Sequence, residues 1–389
     1  MDFDLTKEQK DIQKAVREFA EAEFTSELML DIERNHRFPT ELMKKASHLG
    51  FITIDFPQEY GGGGYGLMEK ALVCQELCRV GAGVGVSIAA SMFASKIVLR
   101  CGDPEQKRKY LPPVCSGEGL PVSGCFTEPD RGSDLVTFPL SVTAQKEGAE
   151  YIINGTKTFI SFADIAKFAV VLCQTAAEAK PPYRGQSTII VDNPAQQSGV
   201  SISVFEKMGW HASAATQVSF SNVRVPLSNL VGEEGRGFYN TIEFLDGYRV
   251  EVGASAVGLA QGAFERALTY AQNRSAFGHK IGTFQAISHK LAEMATKIEA
   301  VRLLVYEAAY QFDKEGKIDP KLSSMAKWFP ARVAVEVADE AIEILGGHGY
   351  MLENEVERFY RDARHFELVE GTREIHKNTI ARSLLGKLE

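Results

Sequence analysis

The spacing of apolar residues along this chain changes twice, and the two changes limit the folds that it can adopt. Up to about residue 120, apolar residues recur at intervals of three and four, the pattern of amphipathic helices. From about residue 121 they alternate with polar residues, as in strands, and beyond a glycine-containing link at 226–237 the helical spacing returns. We therefore predict an α+β protein with a helical domain at 1–120, a middle β domain at 121–232 and a helical domain at 233–389.

The first segment contains several helix signals. Thr6 and Gln9 predict a capping box at the start of the first helix. A helix that opens at Pro39 should bury Leu49 and end at Gly50. The glycines at 61–64 lack the preceding strand and the following Lys-Ser/Thr of a phosphate loop, so they predict a structural turn. We expect further helices near 67–80 and 87–101, separated by the small residues of 81–86, and after Asp103.

The middle segment predicts strands, and the last segment predicts long helices. Asn154-Gly155 is typical of a two-residue hairpin turn, so 151–160 should form a hairpin. Further strands are expected at 168–173, 187–191, 200–205 and 217–225. The last segment predicts helices at 238–273, 284–314, 321–345 and from Thr372 onward, with a kink or break at Pro330.

Composition excludes several classes of protein. A net charge of −8 gives no support for a nucleic-acid partner, and no apolar run reaches the roughly 20 residues that span a bilayer. The acidic N-terminus does not resemble a secretion signal or a transit peptide. Six scattered cysteines form no disulfide or zinc pattern, and the sequence shows no metal-type histidine cluster. We expect reduced, mostly buried thiols and a cytoplasmic protein.

The stretch 365–375 places an acid at a break in the backbone. Glu370 is followed by Gly371, which permits positive φ, and then by Thr372, which can cap a helix. An ordinary helix end is the simpler interpretation of a Glu before a Gly. The alternative is a catalytic carboxylate, and other stretches of the chain favour it.

Five stretches in order resemble the acyl-CoA dehydrogenase family of flavoenzymes over essentially the whole chain. These are 125–134, 154–161, 274–278, 344–349 and the Glu370-Gly371-Thr372 signature. The resemblance implies an N-terminal helical domain, a middle β-barrel or β-sandwich domain and a C-terminal four-helix bundle, assembled as a homotetramer. It also implies FAD as cofactor, an acyl-CoA substrate and an electron-transfer flavoprotein as electron acceptor.

In this family a carboxylate removes the proton α to the thioester while hydride passes from Cβ to flavin N5. Such chemistry needs a base beside Cα and hydrogen bonds on the thioester oxygen. Glu370 matches the base, and burial should raise its pKa. Its backbone N–H matches one donor to the thioester oxygen. Some relatives carry the base at the position of Tyr248, which is not a carboxylate, and Glu251 is a weaker alternative.

The remaining site residues are carried over by resemblance. Arg249 matches a CoA-contacting arginine, and Glu343 stands where relatives carry Gln. Flavin or cofactor contacts are expected from Phe126, Thr127, Ser133, Phe159, Ser161, Arg274, Phe277, Gln285, Glu343, Gly346, Gly347, Thr372 and Glu374, with Arg274 and Phe277 reaching the cofactor of a neighbouring subunit. Substrate contacts are expected from Ser133, Tyr248, Arg249, Val369 and Gly371.

The acyl group is less constrained by the sequence. Val369 stands where straight-chain relatives often carry Tyr, Phe159 where many carry Trp, and the stretch 81–86 is rich in Gly and Ala. All three differences should enlarge the pocket and favour a branched, alicyclic or aryl-bearing acyl group. No Arg lies between Gly81 and Ala94, which argues against a dicarboxylyl substrate. Two other functions stay open: an oxidase that uses oxygen on the same scaffold, and a non-catalytic helical scaffold.

Overall fold

The computed structural model describes residues 4–386 of the chain and has helices at both ends with a sheet between them. The N-terminal helices are Lys7–Glu23 (α1), Ser26–Asn35 (α2), Thr40–His48 (α3), Leu67–Val80 (α4), Ala82–Ala89 (α5), Ser95–Cys101 (α6) and Pro104–Ser116 (α7). The predicted capping box is confirmed at α1, where Thr6 Oγ1 accepts from the Gln9 backbone N–H and Gln9 Oε1 accepts from the Thr6 backbone N–H.

The middle domain is a mixed sheet of eight strands. They are Val122–Cys125 (β1), Thr143–Glu147 (β2), Glu150–Ser161 (β3), Phe168–Gln174 (β4), Gln186–Asp192 (β5), Val200–Phe205 (β6), Ala215–Pro226 (β7) and Leu230–Val231 (β8). The order is β6-β7-β3-β2-β4-β5-β8, and β1 pairs in parallel with β4.

Strand β4 is buried along its whole length because it separates two hydrophobic cores. Phe168 and Val170 face the helices, whereas Ala169 and Val171 face a core internal to the sheet domain. Alternating side chains of a strand point to opposite faces, so one strand can serve both cores. The sheet is thereby fixed directly against the helical part of the protein.

The C-terminal helices are Gly237–Asn273 (α8), Gln285–Glu315 (α9), Pro320–Leu345 (α10), Val356–Phe366 (α11) and Arg373–Leu385 (α12), with a short hairpin of Ser275–Ala276 (β9) and His279–Lys280 (β10) after α8. Helices α8, α9 and α10 pack on one another, α12 packs on α10, and α11 packs on α8 and α10. The N-terminal α4 also packs along α8, so the two helical domains share a single core.

The predicted hairpin at Asn154-Gly155 is wrong. Residues 150–161 form one strand that pairs with β7 on both sides of Gly155, where the register shifts by a bulge. Gly155 has φ of 124°, so the bulge uses the positive φ that we had assigned to a turn. The hairpin turn lies instead between β2 and β3, at Gly148-Ala149.

Several helix predictions also need correction. The small residues of 81–86 are not a connector, because 82–89 is helix α5; α2 and α11 were not predicted. Leu49 follows α3 and is 57% exposed, so it is not inward. Helix α10 continues through Pro330, so of the predicted kink or break the break is wrong.

Among residues 4–386, no helix is both long enough and apolar enough to cross a membrane. No group of three or more His, Cys, Asp or Glu side chains in that range could hold a metal ion. The six cysteines, all within the described range, are free, and five of them are buried.

Candidate active site

Glu370 lies at a sharp backbone break between α11 and α12. Its φ is 54° and that of Gly371 is 107°, so two successive residues have positive φ. For a residue with a Cβ this conformation is strained, and such strain is concentrated at functional sites. Thr372 occupies the position before α12, but its side chain accepts no capping hydrogen bond.

Two buried cations hold this break by its carbonyl groups. Arg249 Nε on α8 donates to the Glu370 carbonyl oxygen at 3.3 Å, and Lys327 Nζ on α10 donates to the Gly371 carbonyl oxygen at 2.7 Å. A Cβ on Gly371 would lie 3.0 Å from Nε2 of the buried His376. The segment therefore requires glycine at position 371 for both conformation and space.

The surroundings of Glu370 suit a carboxylate that must accept a proton. Burial raises its pKa, and the charges of Arg249 and Lys327 act in the opposite direction. Burial also lowers the pKa of Lys327 to about 7, so this lysine gives up its proton more readily than a solvated lysine. The expected upward shift of the Glu370 pKa is confirmed in direction.

An aromatic wall lies beside the acid and reaches the middle domain. Tyr248 on α8 contacts Phe93, with ring centroids 5.3 Å apart, and Phe93 contacts Phe126, with centroids 6.1 Å apart. Phe244 stacks on Tyr248 at 5.4 Å. Burial, aided by the negative charges of Glu370 and Glu251, raises the pKa of Tyr248 well above its usual value, so this phenol stays neutral.

Arg249 is less available for contacting CoA than the resemblance implied. Its side chain is buried, and besides Glu370 it binds Asp246, with Nη1 2.9 Å from Oδ1. Glu251 is also buried and forms an ion pair with Lys96.

The predicted flavin contacts of the middle domain lie beside a buried ion pair that holds their two segments together. Lys157 Nζ lies 3.0 Å from Glu128 Oε1 and donates to the Phe126 carbonyl oxygen at 2.9 Å. The Thr158 backbone N–H donates to the Thr127 carbonyl oxygen at 2.9 Å. The ion pair thus brings the segment that holds Phe126 and Thr127 against strand β3, which holds Ser161.

Two further predicted contacts lie on the surface of this domain. Phe159 is 70% exposed and has φ of 57°, and its ring is tilted by 41° against that of Phe205, with centroids 5.7 Å apart. Ser133 is exposed in the loop between β1 and β2. An exposed aromatic ring at a strained position is consistent with a surface that a planar cofactor covers.

The other predicted cofactor residues lie at the far end of α8. Arg274 follows α8 and lies 25 positions beyond Arg249 along the chain, which corresponds to about 37 Å at 1.5 Å per residue of helix. Phe277, at the tip of the β9–β10 turn, is 93% exposed, and Gln285, Glu343, Gly346 and Gly347 are also exposed. Within one subunit these residues cannot share a site with Glu370 unless a long ligand joins them.

The surfaces present fit a cofactor with a planar ring and a phosphate-bearing tail. Phe159 and Phe277 offer exposed rings, and Cβ atoms built on Gly346 or Gly347 would meet no atom within 4 Å. Open backbone of that kind lets N–H groups approach phosphate oxygens. Thr372 and Glu374 lie at the start of α12, with Glu374 exposed.

The sequence analysis missed several buried polar residues of this site. They are Lys157 and Glu128 under the Phe126 segment and Lys327 and His376 beside Gly371, together with the half-buried Lys96, which pairs with both Glu251 and Asp55. Lys157 was visible as a charged residue within a strand pattern, and Lys327 as a lysine among the apolar residues of a helix. Neither pattern alone separates a buried cation from a solvated one.

A mixed sheet between two helical domains, with a desolvated glutamate at a strained turn, defines an α+β protein with a candidate proton-transfer site. Family profiles described as the N-terminal, middle and C-terminal domains of acyl-CoA dehydrogenase match residues 6–118, 123–223 and 235–385. The chain belongs to the acyl-CoA dehydrogenase family and is an FAD-dependent oxidoreductase.

Its relatives include reductases as well as dehydrogenases. Acryloyl-CoA reductase (NADH) of Anaerotignum propionicum is 40% identical, over 99% of this chain and 96% of that protein. Subunit CarC of the caffeyl-CoA reductase-Etf complex of Acetobacterium woodii is 38% identical, over 98% and 100%. The structure of butyryl-CoA dehydrogenase from Megasphaera elsdenii aligns with a TM-score of 0.93 and 32% identity, covering 99% and 100%.

Proposed function

We propose that Glu370 is the catalytic base that removes the α-proton of an acyl-CoA thioester. The observation that carries this proposal is the position of Glu370, a desolvated carboxylate at a strained break whose backbone is held by Arg249 and Lys327. When FAD is bound, it supplies the acceptor for the hydride that leaves Cβ. The backbone N–H of Glu370 is the donor to the thioester oxygen from this chain, and it stabilises the negative charge that builds up there.

We further propose that Arg249 orients Glu370 rather than binding CoA directly. Its guanidinium group is buried and is engaged by the Glu370 carbonyl oxygen and by Asp246. Tyr248 forms the wall of the acyl pocket through its contacts with Phe93 and Phe244. Lys327 acts beside Arg249 as a second positioning residue.

The acyl group is proposed to be bulky, and aryl-bearing acyls fit best. One relative is named for caffeyl-CoA, a thioester of an aryl-substituted acid. Val369 is half-buried at the hydrophobic core beside the acid and leaves more space than a larger side chain would. The Gly and Ala residues of 81–86 were expected to enlarge the acyl pocket, but Gly85 faces the neighbouring helix instead. A Cβ on Gly85 would lie 2.5 Å from the Leu77 carbonyl. Those small residues allow α5 to pack closely on α4.

The names of two relatives also bear on the direction of the reaction, that is, oxidation of an acyl-CoA or reduction of an enoyl-CoA. Both are named reductases, of acryloyl-CoA and of caffeyl-CoA. The same groups would serve both directions: when an enoyl-CoA is reduced, Glu370 would return the proton to Cα, and the hydride for Cβ would come from FAD in its reduced form. We propose reversible interconversion of an acyl-CoA and its 2,3-enoyl-CoA.

The electron partner, assembly and location complete the proposal. A relative is named as part of a complex with Etf, which supports an electron-transfer flavoprotein as partner of this protein. Assembly as a homotetramer would let Arg274 and Phe277 reach the cofactor of a neighbouring subunit, given their distance from Arg249. Cytoplasmic location rests on the composition and cysteine usage alone. The oxidase alternative predicts rapid peroxide formation in air, and the scaffold alternative predicts a colourless protein.

A panel of thioesters tests the proposed function. The holoenzyme is mixed anaerobically with butanoyl-, octanoyl-, isobutanoyl-, cyclohexanecarbonyl- and 3-phenylpropanoyl-CoA, and the loss of flavin absorbance is followed. We expect bleaching, fastest with the aryl and branched acyls. Clear preference for straight chains would contradict the bulky acyl group, and no bleaching by any thioester would contradict the reaction itself.

A further inference from the structure

A small cavity lies against Tyr248, among residues of α4, α5 and α8. It is lined by apolar side chains of α4, α5 and α8 and by one carboxylate, that of Glu251; the other lining residues are Cys74, Val86, Ala89, Ala90, Tyr248, Val252 and Ser255. Its volume of about 10 Å³ is at the lower limit for one water molecule. The charges of both Glu370 and Glu251 act on the Tyr248 phenol, so Tyr248 lies near both acids.

One oxygen of Glu251 has no partner. Lys96 Nζ pairs with Oε1, whereas Oε2 is buried and accepts no hydrogen bond from the described residues. The residue is only 3% exposed. A buried carboxylate oxygen without a donor is costly, so this oxygen is suited to a ligand that supplies one.

The second carboxylate of the cluster keeps Lys96 in place. Asp55 Oδ2 lies 2.5 Å from Lys96 Nζ. Lys70 Nζ lies nearby and donates to the carbonyl oxygens of Ile52, at 2.7 Å, and Ala89, at 3.2 Å. With Lys70 and Lys96 against Asp55 and Glu251, the formal charges of the cluster balance.

This balance of charge decides which chemical group can bind to the free oxygen of Glu251. An ammonium group would add an uncompensated charge to a buried cluster, and a carboxylate would repel Glu251. A hydroxyl group adds no charge and can donate to an ionised carboxylate. Burial raises the pKa of Glu251, and a hydroxyl can also accept from the protonated acid.

We propose that Glu251 is a specificity-determining residue of the acyl pocket and that its Oε2 binds a hydroxyl group on the distal part of the acyl chain, an inference that rests on the proposed function. Tyr248 lines both this hydroxyl subsite and the proposed acyl pocket. The reaction of the hydroxylated acyl-CoA is otherwise the same, and the hydroxyl itself takes part in no bond change.

Matched pairs of thioesters test this inference on the holoenzyme. The ratio of kcat/KM for 3-(4-hydroxyphenyl)propanoyl-CoA to that for 3-(4-methylphenyl)propanoyl-CoA is measured, together with a graded series of ω-hydroxyacyl- and methyl-terminated acyl-CoA thioesters. A hydrogen bond to a buried charged group should favour the hydroxyl about 10- to 100-fold at the matching length. Glu251→Leu should bring this ratio to one or below.

Glu251→Gln is a second test variant, because its side chain has nearly the same shape as that of Glu251. Lys96 can only donate, so the amide oxygen should turn to Lys96 and the amide N–H group to the cavity. This variant should then accept a keto group in place of the hydroxyl, which the wild-type protein should reject at a pH where Glu251 is ionised. Glu243, exposed on the same helix, is the control: Glu243→Gln should leave every ratio unchanged.

The outcomes separate the two proposals. If 3-phenylpropanoyl- and butanoyl-CoA both fail to bleach the flavin, the proposed function fails. If they react but no hydroxylated acyl is preferred, or if the preference survives both Glu251 variants, the hydroxyl subsite is overturned and the proposed function stands. Preference for the hydroxyl in the wild-type protein and its reversal towards the keto group in Glu251→Gln would establish the subsite.

Discussion

Lys327 Nζ lies 2.7 Å from the carbonyl oxygen of Gly371, the residue that follows the proposed base. Lys327 is fully buried on α10, and Arg249 on α8 donates to the preceding carbonyl oxygen, that of Glu370. Two helices of the C-terminal domain thus fix two successive carbonyl groups by cationic donors. The Glu370 carboxylate accepts none of the described hydrogen bonds and stays available for chemistry.

Lys327→Met should change the pH dependence of activity. Glu370 must be ionised to accept the proton, so kcat/KM should rise with pH through the pKa of Glu370. The positive charge of Lys327, present below its pKa of about 7, lowers the pKa of Glu370. Its removal should move the acid limb of the profile to higher pH. Lys297→Met, which removes a surface partner of Glu336, is the control and should leave the limb in place. An unchanged limb in a folded Lys327→Met variant would show that Lys327 has no electrostatic effect on the base.

Gly371→Ala should impair catalysis more than stability. Alanine at φ of 107° is strained, and its Cβ would press on His376, so the Glu370 carboxylate should be displaced. A displacement near 1 Å can lower kcat about 100-fold. Gly316, which ends α9 at φ of 69° with no atom within 4 Å of a built Cβ, is a matched control. Gly316→Ala should cost about 1 kcal/mol of stability with unchanged kcat. Equal loss of kcat in both variants would contradict the positional role of Gly371.

The domain order was predictable from the sequence because periodicity averages over many residues. Long elements such as α8 and β7 were located to within about two residues. The prediction failed where two structures use the same local conformation, as at Gly155, where a bulge takes the positive φ of a turn. It also failed at 82–86, where glycines that appear to break a helix instead allow α5 to pack against α4.

The site was predictable only in part for a related reason. Glu370 was predicted as the base from the resemblance of five stretches to the family, because a Glu before a Gly alone favours an ordinary helix end. Lys327, Lys157 and Lys96 act through partners 29 to 155 residues away, and only the fold brings these pairs together. A buried lysine cannot be recognised from sequence spacing without knowledge of its carboxylate or carbonyl partner.

Lys157→Met should destabilise the middle domain and release the flavin. Lys157 and Glu128 form a fully buried ion pair, and loss of one partner of such a pair typically costs about 3–5 kcal/mol. The Phe126 carbonyl would also lose its donor. Thermal melting and flavin fluorescence measure the two effects. The double variant Glu128→Gln/Lys157→Met should recover part of the stability, and Lys146→Met, at an exposed pair with Glu234, should cost less than about 1 kcal/mol. Full flavin retention in the single variant would contradict the role given to this pair.

Arg274→Ala should weaken FAD binding without unfolding a subunit. Arg274 is exposed at the end of α8, about 37 Å along that helix from Arg249. If it binds the cofactor of a neighbouring subunit, dilution to monomers should also release FAD. Flavin fluorescence at graded protein concentrations checks both points, with the surface variant Arg224→Ala as control. FAD retention independent of both the substitution and the oligomeric state would exclude the contribution of a neighbour.

The measurement that tests the central claim most directly is anaerobic flavin bleaching by a reactive thioester in the wild-type protein and in Glu370→Gln. The amide keeps the shape of the side chain but cannot take the α-proton, so we predict a yellow, folded variant whose bleaching is slowed at least about 100-fold, while Glu243→Gln bleaches like the wild-type protein. Bleaching of Glu370→Gln at the wild-type rate would show that another group removes the proton.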